Sequence, residues 1–350
     1  MMIPRFSTPE EYQKLFALNV TQYGQMTAGS WCYIGPQGIV HGTTLTVLNA
    51  CRRIYGTSDV AGKVFLTSGL GGMSGAQAKA ATICGCVGVI AEIDLSHLIK
   101  RKNQGWLDEY YDDVDELIEK IRFYKAERKG ISIGYHGNVV DIWERLVDIF
   151  NTTGEELVEL GSDQTSCHDI KGGGYLPVGY TIEQGKVMEI FYSTVLQTIL
   201  HLILHPNTTP TYHTKKPHRN ISNPPKGKEM VAADPEKFLS LVQATLRRHV
   251  AAINRLSEGK LYFWDYGNAF LLEAGRAGAD VFKTEEKINF KYPSYVQDIM
   301  GDIFSLGFGP YRWIMASGLE EDLLKGDEIA IKVLTDIMDS GIRKDSYYDS

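Results

Sequence analysis

The chain has 350 residues, 43% of them hydrophobic and 23% charged, with a formal net charge of −7. That length buries a sizeable core and suits two domains, and the composition excludes fibrous, disordered and disulfide-scaffold classes. An acidic balance without a polybasic run also argues against nucleic acid as a partner, because phosphate binding needs a basic footprint.

The five cysteines, Cys32, Cys51, Cys84, Cys86 and Cys167, are odd in number and form no CxxC pair. A reducing, cytoplasmic setting is therefore expected. The opening MMIPRFSTPEEYQKLF has no basic segment followed by an apolar one and does not read as a signal peptide. The longest apolar run, around Val195–Leu204, is too short to cross a bilayer, so no membrane partner is expected.

In chain order, Pro9–Leu18 reads as a short helix, and Tyr23–Gly42 is a glycine-rich stretch. Lys63–Ser68 is a β-branched and aromatic run, hence a strand. A glycine loop, Gly69–Gly75, leads into an alanine-rich helix over Ala76–Cys86, and Val87–Asp94 is a second strand. Asp112–Lys129 is an amphipathic helix, with Val114, Leu117, Ile118 and Ile121 on one face. Ile131–Tyr135 is a third strand, Val139–Phe150 a helix and Leu157–Gly161 a fourth strand. The stretch Gly185–Lys226 begins apolar and becomes a proline-rich polar coil, read as an insertion. Helical periodicity resumes over Pro235–Leu256, and residues 257–350 are aromatic-rich and end in helices. Alternating strands and helices imply an α/β fold with a parallel sheet.

The glycine loop Gly69-Leu70-Gly71-Gly72-Met73-Ser74-Gly75 lies between a strand and a helix, where backbone N–H groups can approach a pyrophosphate. Glu92 follows Gly75 by 17 residues at the end of the next strand, close to where a Rossmann unit places its ribose-binding acid. The loop is not a strict GxGxxG, and a plain tight turn with a solvated Glu is the competing reading. His136-Gly137-Asn138 and Asp163-Gln164-Thr165-Ser166-Cys167-His168 follow the later strands, at the edge where open α/β sheets bind ligands. Ordinary helix caps would explain either alone. Arg312, within GFGPYRW, is a candidate carboxylate clamp or a surface Arg stacked on Trp313. His201 and His205 have metal-ligand spacing without the Glu of HExxH, and no metal is expected. Cys167 beside His168 does not by adjacency make a nucleophile.

At YGQMTAGS (23–30), YIGPQGIVHGT (33–43), TSGLGGMSGAQAKAA (67–81), YHGN (135–138), SDQTSCHD (162–169), GGYLPVG (173–179), DYGNAF (265–270) and GFGPYRW (307–313) the chain resembles the urocanase family. The resemblance covers nearly everything except about Gly185–Lys226. It implies a Rossmann-like NAD-binding domain, 61–256, inserted into an incomplete α/β core domain built from 1–60 and 257–350. It implies NAD⁺ held as an electrophile, and urocanate as the substrate, hydrated to 4-imidazolone-5-propanoate. Carried over by position, the NAD⁺ contacts fall on Gln25, Gly72, Met73, Ser74, Glu92, Asn138, Val139, Gln164, Thr165, Ser166, Cys167, His168, Tyr175, Leu176 and Tyr266. Arg312, the clamp candidate read from its own segment, is then the candidate for the urocanate carboxylate. One cofactor contact made by Arg elsewhere in the family falls on His97. The family's YGGNG-like N-terminal segment and its C-terminal reactive Cys are not found in the sequence, so hydration by this chain alone is not expected. A homodimer is the expected assembly, though neither composition nor spacing fixes it. Two other readings stay open: an NAD-dependent dehydrogenase and a non-catalytic NAD-binding module.

Overall fold

A computed structural model describes residues 36–170, 173–180, 235–301, 317 and 319–339. The Pro9–Leu18 helix, the 185–226 insertion, His201, His205, Gln25 and Arg312 lie outside them. Contacts divide the chain into two units, Met1–Phe308 and Gly309–Ser350.

The first unit is built on a six-stranded sheet, ordered β3-β4-β2-β1-β5-β6. The strands are β1 (Val64–Ser68), β2 (Val87–Glu92), β3 (Glu109–Tyr111), β4 (Ile131–His136), β5 (Leu160–Ser162) and β6 (Tyr262–Trp264). Every neighbouring pair is parallel. β1 is buried along its whole length, and β2 and β4 at all but their last residue. Burial on both faces is what a parallel sheet wrapped in helices demands, and it explains the continuous apolar runs VFL, VGVIA and ISIGY.

The helices are α1 (Pro36–Tyr55), α2 (Ala76–Cys84), α3 (Leu95–Asn103), α4 (Val114–Ala126), α5 (Val139–Thr153), α6 (Pro235–Leu256), α7 (Phe270–Arg276) and, in the second unit, α8 (Glu320–Asp339). On one face α4, α5, α6 and α7 pack Leu117, Trp143, Val242 and Phe270 against Leu66, Val89, Ile133 and Phe263. On the other, α1 lays Val47, Ala50 and Cys51 against Phe65, Leu160 and Trp264, with Ile299 and Met300. The small side chains of α2 let it lie close to the sheet: a Cβ on Gly88 would collide with that of Ala81. α8 carries Leu323, Leu324, Ile329, Ile331 and Val333 exposed. None of the described helices is long and apolar enough to cross a membrane, and the described cysteines are free thiols.

Four elements depart from the sequence reading. α1 starts inside the expected glycine-rich stretch; Pro36 opens it, and Thr43, Thr44 and Thr46 donate to carbonyls one turn back. α3 with β3, and β6, were not foreseen. β3 and β6 are three residues each, too short for a periodicity to show. The sheet and its covering helix α1 thus draw on residues outside 61–256.

The lower edge of the sheet is tied by Glu159. Its carboxylate accepts from Val64 N at 2.9 Å and pairs with Lys125 Nζ, which also donates to Leu157 O at 3.0 Å. Glu159→Ala strands a buried N–H and a half-sealed ammonium, so we expect a loss of about 2 kcal/mol in a urea titration. A midpoint within error of wild type would show the tie to be dispensable.

Candidate functional site

The chain runs outward from β1 through β2 to the edge strand β3, fills the gap with β4, then crosses to β5 on the other side of β1. Helices leave in opposite directions there, so a crevice opens at the carboxyl ends of β1 and β5, the topological switch point of such sheets. It has a volume of about 260 Å³ and is lined by the glycine loop, Glu92, His97, the turn after β4, the segment after β5, and Gly173–Leu176.

The loop is shaped by contacts within it. Gly69, at φ +90°, adopts a backbone that disfavours side chains, and a Cβ there would press on Ser74 Oγ at 2.8 Å. Gly71 N donates to Ser74 Oγ at 3.0 Å, and Gly75 N to Gly71 O at 3.1 Å. The N–H groups of Gly72, Met73 and Ser74, just before the first turn of α2, make no hydrogen bond among the described residues. Three idle donors at a helix N-terminus form a seat for an anion.

Arg101 of α3 holds the loop from behind. It is almost wholly buried; its Nε donates to Leu70 O at 3.0 Å, its Nη2 to Gly71 O and its Nη1 to Gln104 Oε1 at 3.0 Å. A Cβ on Gly75 would run into the guanidinium, which is why glycine ends the loop. By taking the carbonyls, Arg101 turns the N–H edge of the loop away from itself.

Glu92 closes the other side. One oxygen accepts from Leu70 N at 2.7 Å, the other from Asp94 N at 3.0 Å. Oε1 keeps a lone pair for a ligand, while Oε2 also faces His97. His97 Nδ1 lies 3.3 Å from Glu92 Oε2, an ion-pair contact rather than an aligned hydrogen bond. Close contact with the carboxylate and its negative charge push the His97 imidazole above the usual histidine range, against burial.

The tips of β1 and β5 are pinned together. Ser68 Oγ donates to Asp163 Oδ2 at 2.5 Å, and Thr67 and Ser162 hydroxyls meet at 2.9 Å. Asp163 also accepts from Thr165 N and Oγ1 and from Asn268 Nδ2. Gln77, wholly buried, donates to Ser68 O at 3.0 Å and ties α2 to the same point. Asn138 caps α5 by accepting from Val140 N, and its amide donates to Leu176 O at 3.0 Å, drawing the far wall in. Behind that wall the Tyr175 hydroxyl meets His249 Nδ1 at 3.1 Å, both buried.

Of the residues expected from sequence, Ser74, Glu92, Asn138, Val139, Gln164, Thr165, Ser166, Tyr175 and Leu176 line this crevice, and Gly72 and Met73 lie between lining residues Gly71 and Ser74. Three do not reach it. Cys167 is fully buried, 3.1 Å from Thr165 Oγ1, and burial pushes its thiol well up, so it is no thiolate nucleophile. His168 sits exposed on the following turn, its imidazole held below the usual range by partial burial. Tyr266 stacks on Tyr295 with ring centroids 4.7 Å apart and packs with the α1 cluster. Sequence reasoning missed Arg101, Ser68, Asp163 and Gln77 as supports. Asp163 stood in a polar run that was noticed, whereas Arg101, on an unforeseen helix, gave no signal.

A parallel doubly wound sheet with its crevice at the switch point makes this a Rossmann-like α/β protein. A model described as the urocanase Rossmann-like domain matches residues 35–194 and 222–299, the urocanase N-terminal domain matches 1–32, and the urocanase C-terminal domain matches 302–344. The chain belongs to the urocanase family. It is 53% identical over 344 residues to the urocanate hydratases of Mus musculus and Homo sapiens, and 50% identical over 355 residues to a probable urocanate hydratase of Caenorhabditis elegans. These alignments cover 98% to 100% of this chain but only 45% to 46% of the relatives, so the chain spans less than half their length.

Proposed function

We propose that this chain carries the NAD⁺-binding part of a urocanate hydratase, which adds water to urocanate to give 4-imidazolone-5-propanoate. The observation that carries the reading is the row of idle N–H groups at Gly72, Met73 and Ser74, with Glu92 bonded to the start of the same loop. The donor set fits a dinucleotide: the N–H row takes the pyrophosphate, and the Glu92 carboxylate takes a ribose hydroxyl. NAD⁺ bound there would supply an electrophilic nicotinamide and leave the reaction unchanged. The protein's own work is positional. Arg101 presents the N–H edge, the Ser68–Asp163 bond fixes the spacing of the strand tips, and Asn138 holds the far wall at Leu176. Gln25 and Arg312, outside the described residues, are proposed as a further cofactor contact and as the clamp on the substrate carboxylate. Assembly as a homodimer in the cytoplasm belongs to the same proposal.

Titration calorimetry with NAD⁺, followed by addition of urocanate under absorbance detection, tests the reading. We expect saturable NAD⁺ binding and no NADH absorbance. Growth of an NADH band would make the protein a dehydrogenase, and absence of NAD⁺ binding would remove the cofactor reading altogether.

A further inference from the structure

His97 is the titratable side chain of the crevice rim that stands beside the acid of the ribose subsite. It lies in the first turn of α3, lines the crevice, and its side chain is 42% exposed. Nδ1 is sealed from solvent against Glu92 Oε2. That leaves Nε2 as the ring nitrogen available to a ligand.

We propose that His97 is a specificity-determining residue that lets proton concentration decide how strongly the site rejects a 2′-phosphorylated dinucleotide. The inference rests on the dinucleotide reading of the crevice. With His97 neutral, the carboxylate of Glu92 is the dominant charge at the ribose subsite. It accepts from a 2′-hydroxyl and repels a 2′-phosphate. With His97 protonated, the imidazolium offsets that charge and offers an N–H to a phosphate oxygen. A 2′-hydroxyl, both donor and acceptor, adapts to either state. Discrimination between the two dinucleotides should therefore narrow as pH falls.

The groups acting on the imidazole are few. Glu92 at the end of β2 and Asp94 at the start of α3 favour its protonated form, while Arg101, one turn further on, opposes it. The glycine loop above carries no titratable side chain. Across the crevice, Tyr175 is turned into the core on His249, and His136 at the end of β4 is paired with Asp112 at 2.7 Å. The balance favours protonation, so the change falls above the ordinary range of a free histidine.

The test is the ratio of the Kd for NADP⁺ to the Kd for NAD⁺ from about pH 8.5 to about pH 5.5, for wild type, His97→Gln and His97→Lys. Taking a ratio cancels any shared loss of folded protein. The 2′-phosphate titrates near pH 6 on its own, which gives every variant a common slope. We expect wild type to narrow the ratio by roughly tenfold more than His97→Gln, and His97→Lys to show a narrow ratio even at high pH. Wild type and His97→Gln with superimposable ratios would overturn the inference while leaving dinucleotide binding intact. NADP⁺ failing to bind at every pH while NAD⁺ binds would also overturn the inference, and failure of both dinucleotides to bind would overturn the crevice reading with it.

Discussion

Replacing Arg101 with Met is expected to cost about 3 kcal/mol of stability and to weaken NAD⁺ binding by roughly tenfold or more. The guanidinium is buried and satisfies the carbonyls of Leu70 and Gly71 together. Methionine fills much of the volume but leaves both carbonyls without a donor, and charge-assisted bonds of this kind contribute about 1.5–3 kcal/mol each. The loop would then relax toward whatever donor it can find, and its idle N–H edge would lose its aim. Lys should rescue poorly, since a point cation reaches one carbonyl where the planar fork reaches two. Denaturant midpoints and NAD⁺ calorimetry on both variants check this. An Arg101→Met protein with wild-type midpoint and affinity would show that the loop holds its own shape.

Acid should unfold this protein through His249. The side chain is wholly buried between Trp143, Tyr175 and Phe270, and burial holds its imidazole down at about 4 against an ordinary 6.5. Between those values the unfolded chain binds a proton that the folded chain refuses. Stability from this group is therefore complete above about pH 6.5 and is lost as pH falls toward about 4, by up to about 3 kcal/mol. The loss reaches the site, because His249 Nδ1 shares a hydrogen bond with the hydroxyl of crevice residue Tyr175. Asn at 249 keeps an acceptor and cannot titrate, so His249→Asn should start less stable and show a flatter decline over this window. Urea titrations at stepped pH measure both slopes, and parallel slopes would rule His249 out.

The difference between Glu92 and Arg101 shows what a linear reading can reach. Glu92 announced itself by its place after a strand and its distance from a glycine loop, both local patterns set by one supersecondary unit. Arg101 works on that same loop from 30 and 31 residues away, on a helix whose apolar face is thin: of its nine residues only Leu98 and Arg101 are buried. Tyr266 marks the opposite limit. The family motif DYGNAF placed it with the cofactor, but the structure stacks it on Tyr295 and packs it with the cluster under α1.

From its residues alone, this protein was bound to make buried parallel strands joined by helices, with a glycine turn and an acid in register. Runs such as VFLTS and VGVIAE are hidden on both faces whatever lies next to them in the sheet. Which strand tips stand side by side was settled only by the folded chain. β5 returns to β1 across 95 residues and is fastened there by Ser68, Thr67, Ser162 and Asp163. Such a pairing depends on how whole layers pack, since a strand's own periodicity specifies its faces and not its neighbours.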